Sequence, residues 1–176
     1  MSIEYRDAAG ISVADAIDLY QRSTLGERRP VDRPDIFADM LKNADILITA
    51  WNGDRLVGIC RTLTDHAYVA YVADLAVDAA YQRRGIGRRL VEETRRHLKP
   101  ECMMVLLAAP QANDYYPKLG FEHNPRAWML KGGAPLAQGR DSYMAADNTV
   151  SEDFMSERTT QTRPAREGAF SESDEA

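Results

Sequence analysis

One junction constrains the chain more than any other feature. A strand-like apolar run, Tyr68 to Val77, passes through a polar segment, Asp78 to Arg84, and enters Gly85-Ile86-Gly87. After it, Ile86, Leu90, Val91 and Leu98 mark one helical face, with Arg88, Arg89, Glu92, Glu93, Arg95 and Arg96 opposite. The order is a strand, a short loop and a helix N-terminus. Such a terminus leaves about four backbone N–H groups without intrahelical partners and carries roughly half a positive charge. It is an anion site by construction. Glycine at 85 and 87 keeps a Cβ out of the way of an approaching phosphate, and Gln82, Arg83, Arg84 and Arg88 add side-chain donors around it. The dipole contributes only about 0.3–1 kcal/mol, whereas each charge-assisted hydrogen bond adds roughly 1.5–3 kcal/mol, so the amides and arginines dominate.

Two familiar phosphate motifs do not fit. A dinucleotide fingerprint needs a third glycine where Leu90 stands, and a P-loop needs a Gly-Lys-Ser/Thr that the chain lacks. Taken alone, two glycines beside several arginines are equally compatible with the start of an exposed amphipathic helix. The neighbouring segments decide between these readings.

Upstream, Ser12 is placed to cap a helix in which Val13, Ile17 and Tyr20 share a face, running to about Ser23. Pro34 in a first turn, followed by Ile36, Phe37, Met40 and Leu41, predicts a second helix after the polar loop from Leu25 to Arg33. Asp45 to Trp51 and Arg55 to Thr64 are β-rich runs hinged on Asn52-Gly53, a hairpin signal, and Tyr68 to Val77 pairs next after an Asp65-His66 turn.

Charge locates a boundary. From Gly133 to the end there are four basic and nine acidic residues, which accounts for the whole net charge of −5 and leaves residues 1–132 balanced. A balanced domain argues against a nucleic-acid surface. The expected organisation is a domain over 1–132 and an acidic, disordered tail over 133–176, with a short helix near Glu152 and Phe154 and Met155 as its most prominent apolar pair. There is no apolar run of the ~18 residues that a membrane span needs, and MSIEYRDAAG lacks the basic-then-apolar order of a secretory leader, so a cytoplasmic protein is expected. Cys60 and Cys102 lie in apolar runs without CxxC spacing and read as buried thiols. His66, His97 and His123 are too scattered for a metal site, and none is expected.

Asp74-Leu75-Ala76-Val77 followed by Tyr81-Gln82-Arg83-Arg84-Gly85-Ile86-Gly87 resembles the acetyl-CoA signature of the GNAT superfamily, Gln/Arg-x-x-Gly-x-Gly/Ala after a strand. Tyr116-Pro117-Lys118-Leu119-Gly120-Phe121 is similar to that family's Tyr-x-Lys-x-Gly-Phe segment. The resemblance spans about residues 3–131 and implies an α/β fold in which Met103 to Ala108 is a strand, Gln111 to Lys118 a helix and Arg126 to Leu130 the last strand. It implies a mixed, mostly antiparallel sheet of about six or seven strands with helices on both faces. It also implies an N-acetyltransferase using acetyl-CoA as acyl donor, with no metal. One departure stands out: Ala109 occupies a position where the family often has an Asn that contacts pantetheine.

The resemblance implies roles residue by residue. Leu75, Ala76 and Val77 lie on a strand that splays from its neighbour and offers backbone groups to the thioester and pantetheine, an oxyanion-type contact. Gln82, Arg83, Arg84, Gly85, Ile86, Gly87 and Arg88 hold the pyrophosphate. Tyr116 faces the departing sulfur. A phenol of pKa about 10 is a weaker acid than a thiol of about 8.5, so hydrogen bonding describes its role better than full proton transfer. The acceptor must attack as a neutral amine, and an alkylammonium of pKa about 10.4 needs about 4.6 kcal/mol to be neutral at pH 7. Asp74 is the nominee for base or water anchor, with a structural, arginine-paired carboxylate as the equal alternative. The loop bearing Glu27, Arg28 and Arg29 roofs the acceptor pocket in the family, although each of the three reads individually as a solvated residue. Small-molecule amines, protein lysines or N-termini, a non-catalytic acyl-CoA sensor and a homodimer all remain open.

Overall fold

The structure is a computed structural model and describes residues 2–7 and 11–136. The expected tail helix and the Phe154-Met155 pair lie outside the described residues. The chain divides into two compact units, Met1–Pro125 and Arg126–Ala176.

The first unit is a five-stranded sheet in sequence order: β1 (Glu4–Asp7), β2 (Ile46–Asn52), β3 (Arg55–Thr64), β4 (Val69–Val77) and β5 (Met103–Val105). The first three pairings are antiparallel and the last is parallel. Helices α1 (Val13–Arg22) and α2 (Pro34–Lys42) cover one face, and α3 (Ile86–Arg96) covers the other. Among the described residues the sheet therefore has five strands rather than about six or seven. β5 stops after three residues, and Arg126–Leu130, preceded by Pro125, forms no strand. Proline contributes no ladder donor there.

Local chemistry explains the elements. Ser12 Oγ accepts from the Asp15 amide at 3.0 Å, which caps α1, and Pro34 opens α2 at the position where its missing N–H is harmless. The hairpin turn is displaced by one residue from the sequence expectation. Asn52 pairs with Arg55, so Gly53 and Asp54 make the turn, with Gly53 at φ +59°. Asn52 is held in the strand because its side-chain amide donates to Tyr81 Oη at 2.9 Å. The expected helix over 111–118 is instead two 3-10 turns, Pro110–Ala112 and Tyr116–Leu119, each with a proline in its first turn. Pro117 removes the N–H that would continue a helix from the first turn into the second.

The core has two layers. Ala16, Leu19, Tyr20 and Phe37 pack with Leu47, Leu56, Ile59 and Ala76 beneath α1 and α2. On the other face Ile86 and Leu90 pack with Ile48, Ala50, Val57, Cys60 and Val72. Gly58 lets α3 approach closely: a Cβ there would meet Leu90 Cδ1 at 3.0 Å and Ile86 Cγ2 at 3.1 Å. Both cysteines are buried free thiols. Among the described residues no helix is long and apolar enough to cross a membrane, and no cluster of three His, Cys, Asp or Glu could hold a metal ion.

Candidate functional site

The site is organised by an irregularity in β4. Arg61 pairs with Asp74 and Thr62 with Val72, so Ala73 is an extra residue without a partner on β3. The bulge reverses the parity of the strand. Ala70 and Val72 point into the α3 layer, and after the bulge Leu75 and Val77 do so, which turns Asp74 and Ala76 towards α1 and α2. Pairing between β4 and β5 covers only Val69–Tyr71 against Met103–Val105. Beyond that point, among the described residues, the edge of β4 facing β5 has no ladder partner. The predicted splay is present, and it begins at the bulge.

Asp74 is buried and carries two guanidinium groups. Arg29 Nε donates to Oδ1 and Arg61 Nε to Oδ2, both at 2.5 Å. Arg29 also donates to Ala73 O, the bulge carbonyl, at 2.8 Å. The loop between α1 and α2 is thereby clamped to the bulge. Tyr20 sits in the same cluster, edge-on to Phe37 at 4.8 Å. Burial, and then the Asp74 charge, push its phenol well above 10, yet its hydroxyl hydrogen-bonds neither Asp74 nor Arg61. With both oxygens of Asp74 engaged, the geometry matches the arginine-paired alternative.

At the end of β4, Asp78 fixes the loop. Its carboxylate accepts from the Ala80 amide at 3.0 Å, from Arg55 at 3.1 Å and from Arg22. Burial opposes its charge, but the Ala80 amide and Arg22 outweigh that and hold the carboxyl below the usual range. Gln82 Nε2 returns to Val77 O at 3.2 Å, and Arg84 stacks over Tyr81 and donates to Ala80 O at 3.0 Å. Arg83, at φ +59°, and Gly85, at φ +81°, turn the chain into α3. The first intrahelical bond runs from the Arg89 amide to Gly85 O, so the amides of Ile86, Gly87 and Arg88 stand ahead of the ladder.

The two glycines have different explanations. Gly85 meets nothing within 4 Å and is required by its positive φ. At Gly87 a Cβ would lie 2.6 Å from Tyr115 Oη, so the space that the sequence reading assigned to a phosphate is filled from above by a tyrosine hydroxyl. An anion at this turn would be left with the amides and with the side chains of the loop. Ile86 and Ala76 have buried side chains and can reach a ligand only through their backbone.

Tyr116 lies half-buried on the second 3-10 turn, packed edge-on between Tyr115 at 5.5 Å and Phe121 at 5.7 Å. Desolvation, then Tyr115 and Cys60, raise its phenol above 10 against the opposing charge of Arg28. It is a neutral donor throughout the physiological range. Arg88 Nη2 donates to Lys118 O at 2.6 Å, tying the tyrosine turn to the first turn of α3. The predicted Leu75–Val77 and Gln82–Arg88 segments are thus continuous, and Arg88 joins them to the turn that bears Tyr116. The sequence reading missed Arg61, Tyr20, Asp78 and Gln111. Only an unexplained arginine inside a strand, at 61, could have signalled the first of these.

Comparison with known proteins gives one consistent answer. A family model described as an acetyltransferase (GNAT) domain matches residues 43–123. "Probable acetyltransferase TAP2" of Glycine max is 31% identical over 133 residues, 66% of this chain and 52% of its own length. "Histone acetyltransferase TAP1" of the same plant is 38% identical over 80 residues, 44% of this chain and 34% of its own length. The chain therefore spans about half or less of these curated relatives. Among solved structures, a probable acetyltransferase of unknown function from meticillin-resistant Staphylococcus aureus superposes with a TM-score of 0.62 at 20% identity, covering 74% of this chain and 99% of that one. At that identity the likeness establishes the fold.

Proposed function

From the match of a GNAT acetyltransferase domain model to residues 43–123 and the likeness to named acetyltransferases, we propose that the chain is a member of the GNAT superfamily and transfers acetyl directly from acetyl-CoA to a primary amine of a small molecule. The observation that carries this reading is the continuity of a bulged, half-unpaired β4 with the open amides at the start of α3. The residues fit the donor substrate. The amides of Ile86, Gly87 and Arg88, with Gln82, Arg83, Arg84 and Arg88, match the charge of a pyrophosphate. The unpaired edge of β4 beside Leu75 and Val77 matches an amide-bearing arm and a polarised carbonyl. Val77 O already accepts from Gln82, so a pantetheine amide would share or replace that bond.

In this reading Tyr116 donates to the leaving sulfur, and its raised pKa keeps the proton in place for that purpose. Asp74 is a positioning group: through Arg29 and Arg61 it holds the bulge that aims the edge of β4. Neither buried cysteine enters the chemistry. A second reading, acetylation of a protein lysine, is favoured by the name of one relative, "Histone acetyltransferase TAP1".

Release of free CoA thiol across amino acids, aromatic amines, polyamines and lysine peptides tests the proposal. Turnover with a small amine is expected, and Tyr116→Phe should lower kcat by about 10- to 100-fold, the equivalent of one charge-assisted hydrogen bond. Turnover with peptides alone would transfer the assignment to protein lysines. Acetyl-CoA binding without turnover on any amine would leave a sensor.

A further inference from the structure

The loop between α1 and α2 carries three arginines, and one is handled differently from the others. Arg29 pairs with Asp74 and Arg33 with Asp35. Arg28 takes a neutral partner, donating from Nη1 to the amide oxygen of Gln111 at 3.1 Å. Acidic residues stand on the same segments at Glu27, Asp32 and Asp114, and among the described residues none of them pairs with Arg28. A guanidinium offers five N–H donors and a charge, and an amide oxygen neutralises none of that charge. Both partners are exposed.

Position gives this bond its meaning. Arg29 anchors the loop on the β4 bulge, and Gln111 lies on the 3-10 turn that follows β5. The Arg28–Gln111 bond therefore reaches from the bulge side to the β5 side, across the mouth of the gap where the two strands part. The charge of Arg28 is also felt at the Tyr116 phenol, which it opposes in its upward shift. Any amine that enters the gap to meet a thioester beside Tyr116 comes within reach of this uncompensated cation.

We propose that Arg28 is the specificity-determining residue for the acceptor, exchanging its bond to Gln111 for an anionic group, carboxylate or phosphate, carried by the amine substrate. The proposal rests on the transferase reading and deepens it. The exchange replaces a charge–neutral contact with a charge–charge, fork-to-oxyanion contact. It also disfavours polycationic acceptors, which would bring like charge to the same mouth. A fixed cation near the acceptor lowers the pKa of its ammonium and enlarges the reactive neutral fraction.

The test is steady-state kinetics on two matched pairs, phenylalanine against phenylalaninamide and O-phosphoethanolamine against ethanolamine, with an amidated lysine peptide as fifth acceptor. The anionic member of one pair should show a KM lower by about tenfold or more, and which pair responds distinguishes carboxylate from phosphate. In Arg28→Gln the KM ratio of that pair should fall towards one, whereas Arg28→Lys should retain most of it. Acetyl-CoA affinity by calorimetry confirms that both variants are folded. Equal KM values within both pairs, preference for the peptide, or a ratio unchanged in Arg28→Gln would overturn the proposal. If no amine is turned over, the transferase reading fails. Calorimetric titration of the CoA-loaded protein with the same pairs then decides the anion site alone: Arg28-dependent binding of an anionic member supports it, and no such binding overturns it.

Discussion

A carboxylate that serves two guanidinium groups from a buried position is a fastener. Asp74 has a fully buried side chain and Arg61 a side chain only 10% exposed, so removing one partner strands the other in the interior. Asp74→Asn should lower stability by about 3–5 kcal/mol in chemical denaturation. A catalytic base would instead show near-wild-type stability with a collapsed kcat. Tyr116 makes the contrasting case. Its folded pKa lies above 10, so the donating form is complete below that value and is lost only as pH rises through it. The rate should therefore climb from neutral pH with deprotonation of the acceptor amine and show no tyrosine limb below about pH 10. The same rising limb should persist in Tyr116→Phe at reduced amplitude. A falling limb near pH 8 that disappears in the variant would contradict this assignment.

At the scale of elements, α3 matters most, because its first turn supplies the amides and its apolar face fixes where they point. Leu90 and Ile86 rest directly on Gly58 of β3. Gly58→Ala should cost about 1–3 kcal/mol by overpacking and should weaken acetyl-CoA binding, since the helix must lift to admit the methyl group. The loop ahead of α3 depends on Asp78, which joins α1 and β3 to the end of β4. Its folded pKa is depressed below the usual 3.8. The stabilisation from its carboxylate is complete above that ordinary value and disappears as pH falls through the depressed one. Acid titration followed by near-ultraviolet dichroism should show Tyr81 of the loop responding below pH about 4, and Asp78→Asn should remove that transition.

For the whole molecule, the strands and helices declared by periodicity and punctuation were legible in the sequence. Ser12, Pro34 and Gly53 marked α1, α2 and the hairpin turn, and the Gln82–Gly87 loop announced the turn into α3 on which the candidate site is built. Elements defined by departures from periodicity were not legible. The bulge at Ala73 is a single inserted residue, and its effect, Asp74 turned towards Arg29 and Arg61, depends on side chains remote in sequence. β1 escaped notice because Glu4–Asp7 is a short, polar edge strand. The downstream helix was over-read because the family pattern places one there, whereas Pro117 helps to divide the segment into two 3-10 turns. Gly87 has a contact that the sequence did not announce, since only the folded chain brings Tyr115 Oη beside it.

The central claim is that the start of α3 holds a pyrophosphate, and calorimetric titration of acetyl-CoA into the wild type and Gly87→Glu tests it most directly. The new side chain meets the far end of Tyr115, and a negative charge in the first turn of α3 is favourable to the helix, so the protein should stay folded. The wild type should bind saturably, and the variant should bind at least about tenfold more weakly, because its carboxylate sets a like charge beside the amides that hold the pyrophosphate. No binding by the wild type, or equal affinity in a folded variant, would contradict the account.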